Sequence, residues 1–230
     1  MKTVLITGAN RGIGLELARL YAKDGADVLA CCRAPDKAAA LRSLESSSSG
    51  RVRILPLDVS NPEQIAALAS ELKDAAIDIL INNAGISGPK KQNSEAIDAK
   101  GWLETFSVNT IGPVLVSQAF RAHVKRSGEK KIVAITSMMG STQNHSGGMY
   151  AYRSSKAALN NAMHGLSREW AADGITIAIL HPGWVRTDMG GKNAAISPEE
   201  SASGLKREID ALRPETSGHY RDYAGSELTW

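Results

Sequence analysis

Thr7-Gly8-Ala9-Asn10-Arg11-Gly12-Ile13-Gly14 stands between a short apolar run at 3–6 and a segment in which Ile13, Leu17 and Leu20 recur at helical spacing. Glycines permit a tight turn and a close approach of backbone to ligand. The helix that follows offers free amides and the positive end of its dipole to a pyrophosphate. The spacing is G-x-x-x-G-x-G rather than the commoner G-x-G-x-x-G. Such a turn could be no more than a strand-to-helix connection. Its place directly after the first strand points instead to dinucleotide binding, with Gly8, Asn10, Arg11, Gly12, Ile13 and Gly14 as contacts.

Beyond this turn, β-branched runs alternate with amphipathic stretches almost from end to end. Strands are expected at 3–6, 28–32, 52–57, 77–81, 132–136 and 175–180, with a weaker one at 219–223. Helical patterns lie between them. One begins at Asn61-Pro62-Glu63, where an N-cap residue precedes a proline at the first helical position; others cover 107–126 and 150–173. Ser197-Pro198-Glu199-Glu200 opens a last helix by the same capping chemistry. Strand–helix alternation implies right-handed crossovers and a parallel sheet, and near-continuous apolar strands fit burial on both faces. Ser46–Ser49 reads as a short solvent loop, and no linker or repeat divides the chain. The expected fold is α/β: a single doubly wound (Rossmann) domain over 1–230, with a parallel sheet of about seven strands.

Composition narrows the function. In 230 residues, 43% hydrophobic content suffices for a sizeable core, and 22% charged residues is ordinary for a soluble protein. The net charge of +3 is spread along the chain without a basic stripe interleaved with aromatics, so no nucleic-acid partner is expected. No apolar run reaches membrane-spanning length, and Met1-Lys2 leads straight into the first strand without a signal-peptide region. Cys31 and Cys32 are strand neighbours pointing to opposite faces, which makes a disulfide between them geometrically poor. No Cys/His spacing suits a metal. A cytoplasmic location fits.

The chemistry sits further along, at Tyr152-Arg153-Ser154-Ser155-Lys156. Positions i and i+4 are neighbours on a helix, so Tyr152 and Lys156 can serve one reacting group, whereas Tyr150 lies about 240° around from Lys156. A phenol has an unperturbed pKa of about 10, and a nearby ammonium is expected to lower it into a usable range for proton transfer. The alternative is an unremarkable Tyr and Lys on a surface helix. Ser137, at the end of the fifth strand, precedes Tyr152 by fifteen residues, and Asn82-Asn83-Ala84-Gly85 ends the fourth.

The end of the second strand decides which dinucleotide is used. An acid there would bind the ribose hydroxyls of NAD and repel a 2′-phosphate. Asp27 lies at the wrong end of that strand, and its far end reads Cys31-Cys32-Arg33. Arg33 with Arg11 could clamp a 2′-phosphate, or both could be ordinary surface arginines; the missing carboxylate favours NADP(H). Asp58, after the third strand, either accepts from the adenine amino group or caps its own turn.

Taken in order, these motifs resemble the short-chain dehydrogenase/reductase family over essentially the whole chain. Gly8, Gly12 and Gly14 match its cofactor turn, Asn82–Gly85 its fourth-strand motif, and Asn109, Ser137, Tyr152 and Lys156 its catalytic tetrad. Pro182-Gly183 with Thr187 matches its nicotinamide-side loop. The Thr-Gly-Ala-Asn-Arg-Gly-Ile-Gly opening and the Trp230 ending are similar to the C-factor and sniffer-type carbonyl reductases. The resemblance implies an enzyme acting on a small-molecule carbonyl substrate. Ser137 would polarise the carbonyl, Tyr152 would protonate it, Lys156 would hold the nicotinamide ribose, and Asn109 would hold a water. It adds Val59, Asn83, Ala84, Gly85, Pro182, Gly183, Val185 and Thr187 to the cofactor contacts. Substrate walls are expected at 138–149, with His145 as a contact or a solvent-facing residue, and at 184–197, where Gly190 and Gly191 suggest a mobile lid. Met138, Met139 and Met189 suggest an adaptable apolar pocket or core filler. A homodimer or homotetramer through the helices at 107–126 and 150–173 stays open alongside a monomer.

Overall fold

Each of the seven apolar runs forms a strand: β1 (Thr3–Thr7), β2 (Asp27–Cys32), β3 (Val52–Pro56), β4 (Ile79–Asn82), β5 (Lys131–Ile135), β6 (Thr176–His181) and β7 (Tyr220–Asp222). They are taken from a computed structural model that describes residues 2–143 and 146–230, so the expectation placed on His145 lies outside the described residues. All pair in parallel, in the order β3-β2-β1-β4-β5-β6-β7. The order reverses between β1 and β4, and a crevice at the carboxyl ends of those two strands is where such a sheet takes a ligand.

Alternate strand residues feed two cores. Leu5, Leu29, Leu80, Ile132 and Ile177 face one side, where they meet α3 (Pro62–Glu71), α5 (Gly112–Lys125) and α6 (Tyr150–Glu169) through Ile65, Phe120 and Met163. Val4, Ile6, Val28, Ile81 and Leu180 face the other. There α1 (Gly12–Lys23), α2 (Ala39–Ser47) and α7 (Pro198–Asp210) add Leu17, Leu41 and Leu205. Cys31 falls in the first core and Cys32 in the second, both as free thiols. The capping expectations hold. Asn61 Oδ1 accepts from the Gln64 amide at 2.9 Å and Ser197 Oγ from Glu200 at 3.1 Å, contacts worth about 1 kcal/mol each.

Two segments depart from the sequence reading. The serine run is half helix: α2 continues through Ser47, because the Ser47 and Ser48 hydroxyls donate back to the Ser43 and Glu45 carbonyls at 2.9 and 2.7 Å. The helix expected at 107–126 begins earlier and is not uniform. α4 (Ala99–Phe106) runs into a π-helical turn at Ser107–Ile111 before α5. Pro113 has no N–H to give the Asn109 carbonyl four residues back, and its ring crowds that carbonyl, so the turn widens there. Among the described residues no helix is long and apolar enough to cross a membrane.

Candidate active site

A cleft of about 420 Å³ opens where β1 and β4 end. Its floor is the glycine turn, and the glycines there are obligatory. Gly8 has φ +67°, and a Cβ on it would stand 2.9 Å from Ala84 Cα; a Cβ on Gly14 would stand 2.5 Å from both Asn83 Nδ2 and the Gly8 carbonyl. Asn83 is the reason for this closeness. Its Nδ2 donates to the Thr7 and Gly8 carbonyls at 2.9 and 3.1 Å, while Thr7 Oγ1 accepts from the Asn83 and Ala84 amides at 3.0 and 3.1 Å. The motif after β4 thus clamps the turn after β1. Gly14→Ala is expected to weaken dinucleotide binding at least about tenfold and to lower the melting temperature; fluorescence titration and a thermal melt check both.

The residues present fit a dinucleotide. The first turn of α1 has no side-chain cap from Arg11 and no acidic residue, so its amides are free for a pyrophosphate. Asn10, Gly12, Ile13 and Gly85 line the same wall, and Val59, Pro182 and Thr187 face it. Among the described residues the lining carries Arg11, Arg33, Lys156 and Arg186 against a single carboxylate, Asp188.

Arg33 stands exposed where β2 ends, as expected. Arg11 instead turns to Asp188, with Nη1–Oδ2 2.5 Å, in the loop at 184–197. Both side chains are more than half exposed, and such a pair is worth at most about 1 kcal/mol, so a phosphate can compete for Arg11 at little cost. Asp58 lies outside the lining and accepts from the Ser60 amide and hydroxyl at 2.9 and 2.7 Å, the capping alternative. Burial raises its pKa, but those bonds and the Arg33 charge together hold it below the ordinary carboxylate value. Gly183 and Val185 lie outside the lining too; Val185 is buried and bridges Ile196.

The loop at 184–197 carries hydrogen bonds of its own. Arg186 and Ile196 amides donate to Ile196 and Trp184 carbonyls at 2.9 and 3.1 Å, Arg186 Nη1 to the Ala194 and Ala195 carbonyls at 3.0 and 2.9 Å, and Trp184 Nε1 to Gly190 at 2.9 Å.

Of the four expected catalytic residues, Tyr152 and Lys156 line the far end of the cleft, whereas Ser137 and Asn109 lie outside the lining. Tyr150 does not line it. Ser137 lies close enough to the Tyr152 phenol to draw its pKa down. Ser137 Oγ also accepts from the Met139 amide at 3.2 Å, which leaves its own proton free to point at the phenol or a substrate oxygen. Lys156 is buried and donates to the Ile135 carbonyl at 2.9 Å. Burial alone pushes its pKa down to about 8. Asn109 Oδ1 and Lys156 Nζ converge on Gly85, 3.3 and 3.7 Å from where a Cβ there would sit. Asn109 is itself fixed by Ile86, with bonds of 2.8 Å to its amide and carbonyl, and by Ser155 Oγ at 3.1 Å.

One expectation is reversed. The Tyr152 pKa lies above, not below, the ordinary phenol value, because burial outweighs the opposing effect of Ser137. The Lys156 ammonium is turned to Ile135, with its nitrogen 6.0 Å from the Tyr152 ring centre.

Sequence reasoning missed Gln92. Met149 precedes α6 in a left-handed conformation (φ 49°) and gives it no side-chain cap. The Tyr150 amide donates to the Gln92 carbonyl at 3.0 Å and the Tyr152 amide to Gln92 Oε1 at 3.1 Å. Gln92 Nε2 in turn donates to Ser87 and Pro89 carbonyls at 2.9 and 2.7 Å. No local signal announces a cap that arrives from sixty residues upstream. Cys32 and Ile86 also line the cleft, each beside a residue that was named, and Met189 lines it as the apolar-pocket expectation had it.

A cleft floored by a glycine turn and lined by a phenol and a buried lysine suits an oxidoreductase. Comparison with known proteins agrees: the short chain dehydrogenase profile matches residues 2–196, and the chain belongs to that family. It is 41% identical to C-signal of Myxococcus xanthus over 165 residues, which cover 71% of this chain and 99% of that protein. It superposes on the carbonyl reductase Sniffer of D. melanogaster with a TM-score of 0.93 at 33% identity, covering all of both chains. An NADPH-bound carbonyl reductase from chicken fatty liver gives a TM-score of 0.92 at 33% identity, covering 100% of this chain and 99% of that one.

Proposed function

We propose that the chain reduces the carbonyl of a small aldehyde or ketone with NADPH, Tyr152 acting as general acid. The observation that carries this reading is that Tyr152 and Lys156 both line the cleft that the glycine turn floors, with Ser137 near enough to the phenol to bear on its pKa. When bound, the nicotinamide supplies a hydride. Ser137 holds and polarises the carbonyl oxygen with the proton that its bond from Met139 leaves available. Tyr152 delivers its proton to the same oxygen as charge develops there. A phenol whose pKa burial has raised stays protonated at neutral pH, which suits reduction better than the oxidative direction, where a phenolate base is required. Lys156 lies within the same lining and would hold the nicotinamide ribose by its ammonium, with Asn109 placed behind it to support a water that resupplies the proton. Exposed Met138, Met149, Trp184 and Met189, all in the two loops beside this end of the cleft, favour an apolar carbonyl compound.

NADPH is favoured over NADH because Arg33 stands where a ribose-binding acid would exclude a 2′-phosphate. Arg33→Ala is expected to lower NADPH affinity about ten- to a hundredfold and leave NADH nearly unchanged, the span a charge-assisted hydrogen bond provides. Titration of both cofactors against wild type and variant checks this; equal wild-type affinities would sink it. Cys32→Asp combined with Arg33→Ala should turn the preference toward NADH. The likeness to C-signal supports a second reading, a signalling role with little turnover. A panel of aldehydes, ketones and quinones followed by NADPH consumption separates the two, since a signalling protein has no use for an acid poised at a nicotinamide.

A further inference from the structure

Ser137 sits just past the last sheet bond of β5, in which the Thr136 amide donates to the Leu180 carbonyl at 2.8 Å. Its bonds to its own turn are local: Oγ accepts from Met139 at 3.2 Å, and its carbonyl accepts from the Gly140 amide at 2.8 Å. Neither refers the serine to the rest of the fold. That reference comes from the opposite end of the chain, where the Tyr220 hydroxyl on β7 donates to the Ser137 carbonyl at 2.6 Å, 83 residues away. Tyr220 is buried and is held from three sides. Its backbone pairs with Ile179 on β6, its carbonyl accepts from the Leu228 amide at 2.9 Å, and its ring packs on Trp230 with centroids 5.5 Å apart. Trp230 in turn meets His164 at 5.0 Å, and its backbone oxygen accepts from the Ser141 and Thr142 hydroxyls, each at 3.2 Å. The segment from β7 to Trp230 therefore closes on the turn that begins with Ser137.

We infer that Tyr220 is a positioning residue for Ser137, its hydroxyl anchoring the serine carbonyl so that Oγ keeps its place beside Tyr152. Burial pushes the Tyr220 pKa up to about 12, with the neighbouring Asn160 side chain opposing and the nearby Tyr152 adding, so the hydroxyl remains a donor throughout the working range. The inference rests on the reading of Ser137 and Tyr152 as the reacting pair. It assigns a role to an edge strand of three residues, none of which lines the cleft.

The test is a double-mutant cycle of Tyr220→Phe and Ser137→Ala, read as kcat, KM for the carbonyl substrate and the NADPH dissociation constant, with a thermal melt on each protein. Tyr220→Phe removes one oxygen and leaves the Ser137 carbonyl its bond from Gly140, so the fold is kept. Because a displacement of about 1 Å can cost on the order of a hundredfold, kcat should fall about ten- to a hundredfold while NADPH affinity stays unchanged. On the Ser137→Ala background the same change should cost little more. A wild-type kcat in Tyr220→Phe, or losses that multiply in the double variant, would overturn the inference. If Ser137→Ala alone leaves kcat intact, it is the reading of the reacting pair that fails instead. Should Tyr220→Phe not fold, Trp230→Leu, which removes the ring braced on Tyr220, is judged by the same two criteria.

Discussion

Replacing Tyr152 by phenylalanine is expected to lower turnover by about 10²–10⁴-fold or more while leaving NADPH binding nearly as in the wild type, because only the proton donor is lost. The phenyl ring keeps the volume of the side chain, and the glycine turn, Arg33 and Lys156 all remain. Tyr150→Phe serves as the register control, since Tyr150 lies off the cleft. Steady-state rates with a simple aldehyde and a calorimetric NADPH titration measure both. Equal losses in the two variants would place the acid elsewhere. In the wild type, reduction should fall off on the alkaline side as Tyr152 loses its proton, at a pH above that of an ordinary phenol.

Lys156→Met is expected to act on three quantities at once. It removes the ammonium that would hold the ribose, so NADPH affinity falls, and turnover collapses with it. The third effect is on stability. The Lys156 pKa is pushed from the ordinary 10.5 down to about 8 by burial. Below about pH 8 the folded protein must carry a charge that it binds less readily than the unfolded chain does. This penalty is relieved as pH climbs from about 8 to 10.5, because the unfolded state there holds more protons. Wild-type protein should therefore gain stability over that window relative to Lys156→Met, for which no such gain exists. Urea unfolding of both proteins at pH 7 and pH 10 reads the difference. Parallel pH dependence together with wild-type affinity would reduce Lys156 to an inert core residue.

The alternating fold was legible because burial on both faces writes parallel strands as apolar runs. Even the weakest of these, around Tyr220, belongs to the sheet. The candidate site was legible where spacing alone brings residues together: Gly8, Gly12 and Gly14 in one turn, and Tyr152 and Lys156 on one helix, all in the lining of one cleft. What stayed hidden is nonlocal. The π-turn that carries Asn109 follows from Pro113, yet its width depends on packing that spacing does not encode. The loop with Gly190 and Gly191 carries bonds from Arg186 to its own carbonyls that its glycines do not announce. The Tyr152 pKa was misjudged in direction for a related reason. Helical spacing locates the Lys156 backbone, but the ammonium follows the nearest buried carbonyl, that of Ile135.

The start of α6 depends on Gln92, and this bears on how the protein folds and how its segments can be recombined. Tyr152 lies in the first turn of its helix, where its own amide and that of Tyr150 find their acceptors on Gln92, a residue from between β4 and α4. Those two bonds exist only when the chain has closed a contact across sixty positions, whereas later turns of α6 are held within the helix. Residues 86–98 are in this respect part of the active helix rather than a surface insertion. A chimera that imports this stretch from a relative without a matching acceptor would keep its sheet and its cofactor turn, yet inherit a frayed catalytic start.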